Sequence, residues 1–193
     1  MSPDALAQLR FPIGAFNKPP AITAIHLSDW VQAIEDFPSL VRKLLGSAND
    51  EMLSWPYRPD GWNTNQLVHH CADSHMNSFI RFKLSLTEDK PIIKPYNEAE
   101  WAMLPDVEGM KIDASMLILE GLHARWTTLL RSLTEHDLKK VFVHPEHGKE
   151  FRIEENIGVY AWHCNHHLAH MKLGLNSSGK YARIPNGSSR LTT

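Results

Sequence analysis

The chain has 193 residues, 42% hydrophobic and 22% charged, with 20 basic against 22 acidic side chains for a formal net charge of -2. That balance suits one globular domain with a substantial core, and it gives no electrostatic case for nucleic acid or an anionic membrane as a partner. No stretch approaches the roughly 20 apolar residues that span a bilayer, and the opening MSPDALAQLRFPIGAF lacks a basic region followed by a long apolar one, so the expected compartment is the cytoplasm.

Residues 1–25 carry Pro3, Pro12, Pro19 and Pro20. Proline lacks the amide hydrogen that regular structure needs, so this segment reads as an extended arm. Helix is expected next, capped by Ser28, with Trp30, Ile34, Phe37, Val41 and Leu44 at helical spacing and Gly46 at its end. Pro38 removes the amide that would bond to Ile34 and should bend this helix. The stretch WPYRPDGWN, residues 55–63, is a loop. Asn63 with Gln66 resembles a capping box for a helix over 64–87 that contains HHCADSH.

Residues 88–112 read as connection, with a helical turn in NEAEWAML. Asp113 caps a third long helix whose apolar stripe runs Met116, Leu119, Leu122, Trp126, Leu129, Leu130 and Leu133. In KVFVHPEHGKEFRI, residues 140–153, the period shortens. Val141 and Val143 face Phe151 and Ile153 across a turn at Gly148, as in a small β-hairpin. A fourth helix covers 154–173, with Glu154 and Glu155 suited to the dipole of its first turn. Residues 175–193, rich in glycine, serine and basic side chains, are expected to be a flexible or partner-packed tail. The fold class is therefore all-α: a four-helix bundle over residues 26–174, with long crossovers and a small hairpin before the last helix.

The last helix carries AWHCNHHLAH, residues 161–170. Histidines four apart share a helical face, so His163 with His167, or His166 with His170, can point at one metal ion. The two registers differ by about 60° of helical phase. Ile157, Ala161, Cys164, Leu168 and Met171 mark the apolar stripe; His163 and His167 adjoin its edge, and the other pair is expected nearer solvent. A third ligand is needed to hold a divalent ion well, and the second helix offers His69, His70 and Asp73. His69 and Asp73, four apart, could instead orient a ligand or move a proton.

His75, His123, His136, His144 and His147 are expected mostly at the surface. Cys71 and Cys164 are too few for a disulfide framework and are read as core residues. Asn77 and Arg81 are either pocket groups or partners of loop carbonyls, and the tryptophans are core or pocket wall. The chain has no His-Glu-x-x-His, phosphate-binding glycine loop or nucleophile elbow.

The segments DGWNTNQLVHHCADSHMNSFIRFKLSLTE, KPYNEAEW, LHARWTTLLRSLT, WHCNHHLAH and FPIGAF resemble the YfiT group of bacterial metal-dependent hydrolases in the DinB superfamily, over residues 11–173. The resemblance implies a DinB-like four-helix bundle, usually a homodimer, with one divalent metal ion held by three histidines. It places the ligands on His70, His163 and His167. Three neutral imidazoles leave an open coordination position, as at catalytic sites. The leading expectation is hydrolysis of a small-molecule substrate by an activated water on zinc or nickel, with Asp73 or His69 as base or orienting group. The alternatives are transfer of a low-molecular-weight thiol, also known in the superfamily, and a non-catalytic metal-binding stress protein.

Overall fold

The computed structural model describes residues 1–146 and 148–182. The helices in chain order are α1 (Pro3–Arg10), α2 (Ala24–Leu45), α3 (Asp50–Leu53), α4 (Thr64–Thr87), α5 (Glu98–Trp101), α6 (Pro105–Glu108), α7 (Asp113–Arg131), α8 (Glu135–Leu138) and α9 (Ile153–Asn176). Strands β1 (Val141–His144) and β2 (Lys149–Arg152) lie between α8 and α9. Among the described residues no helix is long and apolar enough to cross a membrane.

The four long helices form the bundle. α2 packs on α9 and α7, and α4 packs on the same two, so α2 lies diagonal to α4. The core between them holds Ile34, Phe37, Leu67, Phe82, Leu119, Trp126, Ile157 and Met171, each at most 1% exposed. The connections carry the short helices and the hairpin, matching the expected long crossovers.

Several boundaries differ from the sequence reading. The arm is not wholly extended. Pro3 opens α1 at a position where a missing amide hydrogen costs nothing, and the Ser2 side chain accepts from the Ala5 amide at 3.3 Å. α2 starts a turn earlier than expected, because Thr23 and His26 form a reciprocal cap that Ser28 does not. The helix continues through Pro38, which is buried inside it. Asn63 and Gln66 form the expected capping box, with bonds of 2.8 and 3.0 Å. Asp113 is the first residue of α7 rather than its cap.

The hairpin turns at Gly148, whose φ of +59° suits a residue without a Cβ. Its register pairs Phe142 with Phe151 and Val143 with Glu150. The expected facing of Val141 and Val143 with Phe151 and Ile153 is thus replaced by an aromatic pair with ring centroids 5.6 Å apart, and Ile153 already belongs to α9. α9 runs three residues beyond Leu173 to Asn176, so the start of the expected tail is helical. The rest of that tail from 183 on, and His147, lie outside the described residues.

The arm crosses the last helix. The Trp162 indole donates to the Gly14 carbonyl at 3.0 Å, and Phe16 meets Trp30 edge-on over Gly158. A Cβ at Gly158 would lie 2.8 Å from Trp30 Cη2 and 2.9 Å from Phe16 Cζ, so only glycine permits this approach.

Candidate metal centre

α4 is fixed at its start by more than its cap. Asn65 donates to the Val107 carbonyl at 2.8 Å and Gln66 to the Ala102 carbonyl at 3.0 Å, tying the α5–α6 connection to the first turn. His70 lies one turn further on, opposite α9. There it meets His163 and His167, four residues apart on α9. One nitrogen of each of these three rings lies within 4.8 Å of the others. The ring centroids are 4.3 Å apart for His163 and His167, 4.8 Å for His70 and His167, and 5.5 Å for His70 and His163.

Burial first, then the charge of His166, pushes His70 down to about 4. Burial followed by the neighbouring imidazoles pushes His163 and His167 well below the ordinary histidine range. All three are therefore neutral at physiological pH and present lone pairs, the form a cation requires. His70 Nδ1 is moreover a buried nitrogen with no hydrogen-bond partner among the described residues. An orphaned polar atom in a cluster of imidazoles is costly unless something binds there, and the donor set fits a divalent ion of borderline softness.

The other nitrogens of the α9 pair are engaged. His163 Nδ1 lies 3.0 Å from His75 Nε2, His75 Nδ1 lies 2.7 Å from His123 Nε2, and His123 Nδ1 lies 2.5 Å from the Ile34 carbonyl oxygen. His167 Nδ1 lies 3.4 Å from His170 Nδ1, and His170 Nε2 lies 3.2 Å from the Arg10 carbonyl oxygen.

A model of the DinB superfamily matches residues 33–171. The chain belongs to the DinB superfamily. Within it, a protein of Bacillus cereus (strain 03BB102) named "Putative metal-dependent hydrolase" is 50% identical over 163 residues, covering 84% of this chain and 93% of that protein. A similarly named protein of Oceanobacillus iheyensis is 47% identical over 162 residues, with the same coverage. The solved structure of YfiT from Bacillus subtilis, described as a probable metal-dependent hydrolase with an unusual four-helix bundle topology, matches with a TM-score of 0.85. It is 41% identical and covers 89% of this chain and 98% of YfiT. A mycothiol-dependent maleylpyruvate isomerase shares the fold, at TM-score 0.61 and 16% identity, over 78% of this chain and 63% of that one.

This DinB-superfamily chain brings His70, His163 and His167 together, and places the remaining singled-out residues as follows. His69 spends one ring nitrogen on α7 and the other on the segment before it, Nδ1 at 2.7 Å from Ser115 Oγ and Nε2 at 3.3 Å from the Met110 carbonyl. Asp73, partly exposed on α4, is pushed up to about 6 by burial first and then by Asp106. Asn77 donates to the Asp73 carbonyl at 2.9 Å. Cys71 and Cys164 are free and buried in the core, and burial holds both thiols well above their ordinary range.

The expectation that His166 and His170 face solvent is corrected. They are 7% and 2% exposed, because Phe11 lies against His166 and Tyr57 stacks on His170 at 4.0 Å. The surface placement of His75 and His123 is corrected as well, at 0% and 1% exposed. The sequence did hold a signal for these two. Leu119, His123, Trp126 and Leu130 share the buried face of α7, and Cys71, His75, Phe79 and Phe82 that of α4, so each histidine occupies a core position.

Proposed function

We propose that this protein is a metal-dependent hydrolase of a small-molecule substrate, built on a three-histidine centre of His70, His163 and His167. The observation that carries this reading is the convergence of three neutral ring nitrogens within 4.8 Å, one ring having an otherwise orphaned nitrogen. Zinc or nickel is the ion we assign, and a cytoplasmic homodimer the setting. A bound divalent ion at such a site supplies Lewis acidity, which raises the acidity of water and polarises a substrate carbonyl.

The chain's own residues do the rest. His70, His163 and His167 would hold the ion between α4 and α9, two helices that pack on each other in the core. Asp73 lies one turn beyond His70 on α4. A carboxylate held near 6 is ionised at neutral pH yet more basic than an ordinary one, which suits a general base. His69 is the weaker claimant, because both its nitrogens already have partners.

The test combines metal and turnover. Elemental analysis of the purified protein should give one divalent ion per chain, and His163→Ala should lose most of it; full retention in that variant defeats the assignment. A panel of activated esters, amides and epoxides should then be consumed without added thiol. Consumption only with a low-molecular-weight thiol would replace hydrolysis by thiol transfer. No turnover, with metal removal lowering the melting temperature, would leave a metal-binding structural protein.

A further inference from the structure

Two rows of buried imidazoles lead away from the α9 ligand pair, and each ends on a backbone carbonyl. A carbonyl oxygen only accepts, so the ring nitrogen beside it carries the proton. On the first row the Ile34 carbonyl thus fixes the proton of His123 on Nδ1, at 2.5 Å. A neutral His123 then has its lone pair on Nε2, and the 2.7 Å contact makes His75 the donor through Nδ1. By the same logic His75 Nε2 accepts from His163 Nδ1 at 3.0 Å. His163 is left with its lone pair on Nε2. On the second row the Arg10 carbonyl puts the proton of His170 on Nε2, so His170 Nδ1 accepts and His167 Nδ1 donates. His167 also ends with its lone pair on Nε2.

The end of the longer row has an identifiable origin. In a regular helix the Ile34 carbonyl would accept from the amide of residue 38, but residue 38 is proline and has no amide hydrogen. A buried carbonyl left without that bond needs another donor, and His123 supplies it from α7. The proline inside α2 therefore frees the group that sets the proton order of the row. His75 and His123 are buried and boxed by Phe37, Trp126 and Tyr160, which disfavours a charged imidazole and keeps the one-proton-per-ring count.

We propose that His75, His123 and His170 are positioning residues that set the tautomers of His163 and His167, so that both Nε2 lone pairs face a metal ion before it arrives, with Pro38 exposing the carbonyl that anchors the longer row. The proposal rests on the three-histidine metal reading above. Histidine ligands commonly donate their second N–H to a carboxylate, carbonyl or water. Here the partner of each α9 ligand is another imidazole, and the fixed acceptor lies one or two rings further out.

The experiment begins with metal-free, imidazole-labelled wild-type protein, in which long-range nitrogen–proton correlation spectra distinguish protonated from unprotonated ring nitrogens. His163, His75 and His123 should each carry the proton on Nδ1; His163 protonated on Nε2 would overturn the proposal, and this measurement needs neither bound metal nor a variant. His123→Phe removes the acceptor for His75, and zinc affinity, titrated against a chromophoric chelator, should fall about 10- to 100-fold. His123→Gln should recover most of that loss, since its carboxamide can accept from His75 and donate to the Ile34 carbonyl. Affinity within about twofold of wild type in a folded His123→Phe protein refutes the positioning role. If wild type shows the expected tautomers and yet binds no divalent ion, the metal reading fails while the tautomer assignment stands.

Discussion

Lowering the pH should destabilise the metal-free protein well before ordinary acid denaturation sets in. His70 and His123 are pushed down to about 4 by burial, from 6.5 for the unperturbed side chain. In the unfolded chain they take up protons as pH falls through about 6.5, whereas the folded chain resists until about 4. The unfolded state thus binds more protons in that window, and stability falls with pH across it. At pH 5 each of the two costs about 2 kcal/mol relative to pH 8, about 4 kcal/mol together. Asp73 acts in the opposite sense. Its folded value near 6 means that the folded state gains a proton first as pH falls, but its partial exposure limits the offset to about 1 kcal/mol. A net loss of about 3 kcal/mol remains, and His75, His163 and His167, also pushed down, deepen it. Against a total of about 5 to 15 kcal/mol for a folded domain, this is a large share. Urea unfolding of the chelator-treated protein, followed by tryptophan fluorescence at pH 8 and pH 5, measures it. Unfolding free energies equal within about 1 kcal/mol at the two pH values would refute the premise that these imidazoles are buried and neutral.

Gly158→Ala should cost about 1 to 3 kcal/mol by urea unfolding, because the new methyl would overlap Trp30 and Phe16, and limited proteolysis should then cut within residues 11–20 first. Trp126→Ala should cost about 3 to 5 kcal/mol, while Trp126→Phe should cost much less, since it keeps an aromatic ring against Phe82 and removes an indole N–H that has no partner among the described residues. Equal losses in the two variants would contradict this account of the Trp126 site. Asp73→Asn should abolish a carboxyl titration near pH 6 seen by carbon NMR in the metal-free protein and raise stability at pH 8 by about 1 kcal/mol. A wild-type midpoint below 5 would remove the argument for Asp73 as a tuned base.

The sequence showed clearly what repeats within one helix. The apolar stripes of α2, α4, α7 and α9, and the reciprocal cap of Asn63 with Gln66, follow from local spacing and were readable residue by residue. The i, i+4 pair of His163 and His167 was visible for the same reason, and family resemblance singled out His70 among the three candidates on α4. Contacts made by a third element were not legible. His166 and His170 sit beside the apolar stripe of α9 by phase and would be wet on an isolated bundle, but the arm and the 55–63 loop cover them with Phe11 and Tyr57. The hairpin register depended on one aromatic pair, Phe142 with Phe151, which outweighed the alternation of the valines. Pro38 by itself spells only a bend in its own helix; that its missing amide hydrogen leaves a carbonyl for a histidine on α7 depends on two helices at once.

The diagonal placement of α2 and α4 also bears on how the molecule is made. Because α9 packs against both, neither has its full set of neighbours until the last helix has been synthesised, and His75 must wait for a partner 88 residues further along the chain. A nascent chain halted in the hairpin would carry His70 without His163 and His167, and would leave the faces of α2 and α4 that pack on α9 uncovered. Completion of the core is thus a late event in synthesis, and a product that stops short of α9 would offer exposed apolar faces to proteolysis.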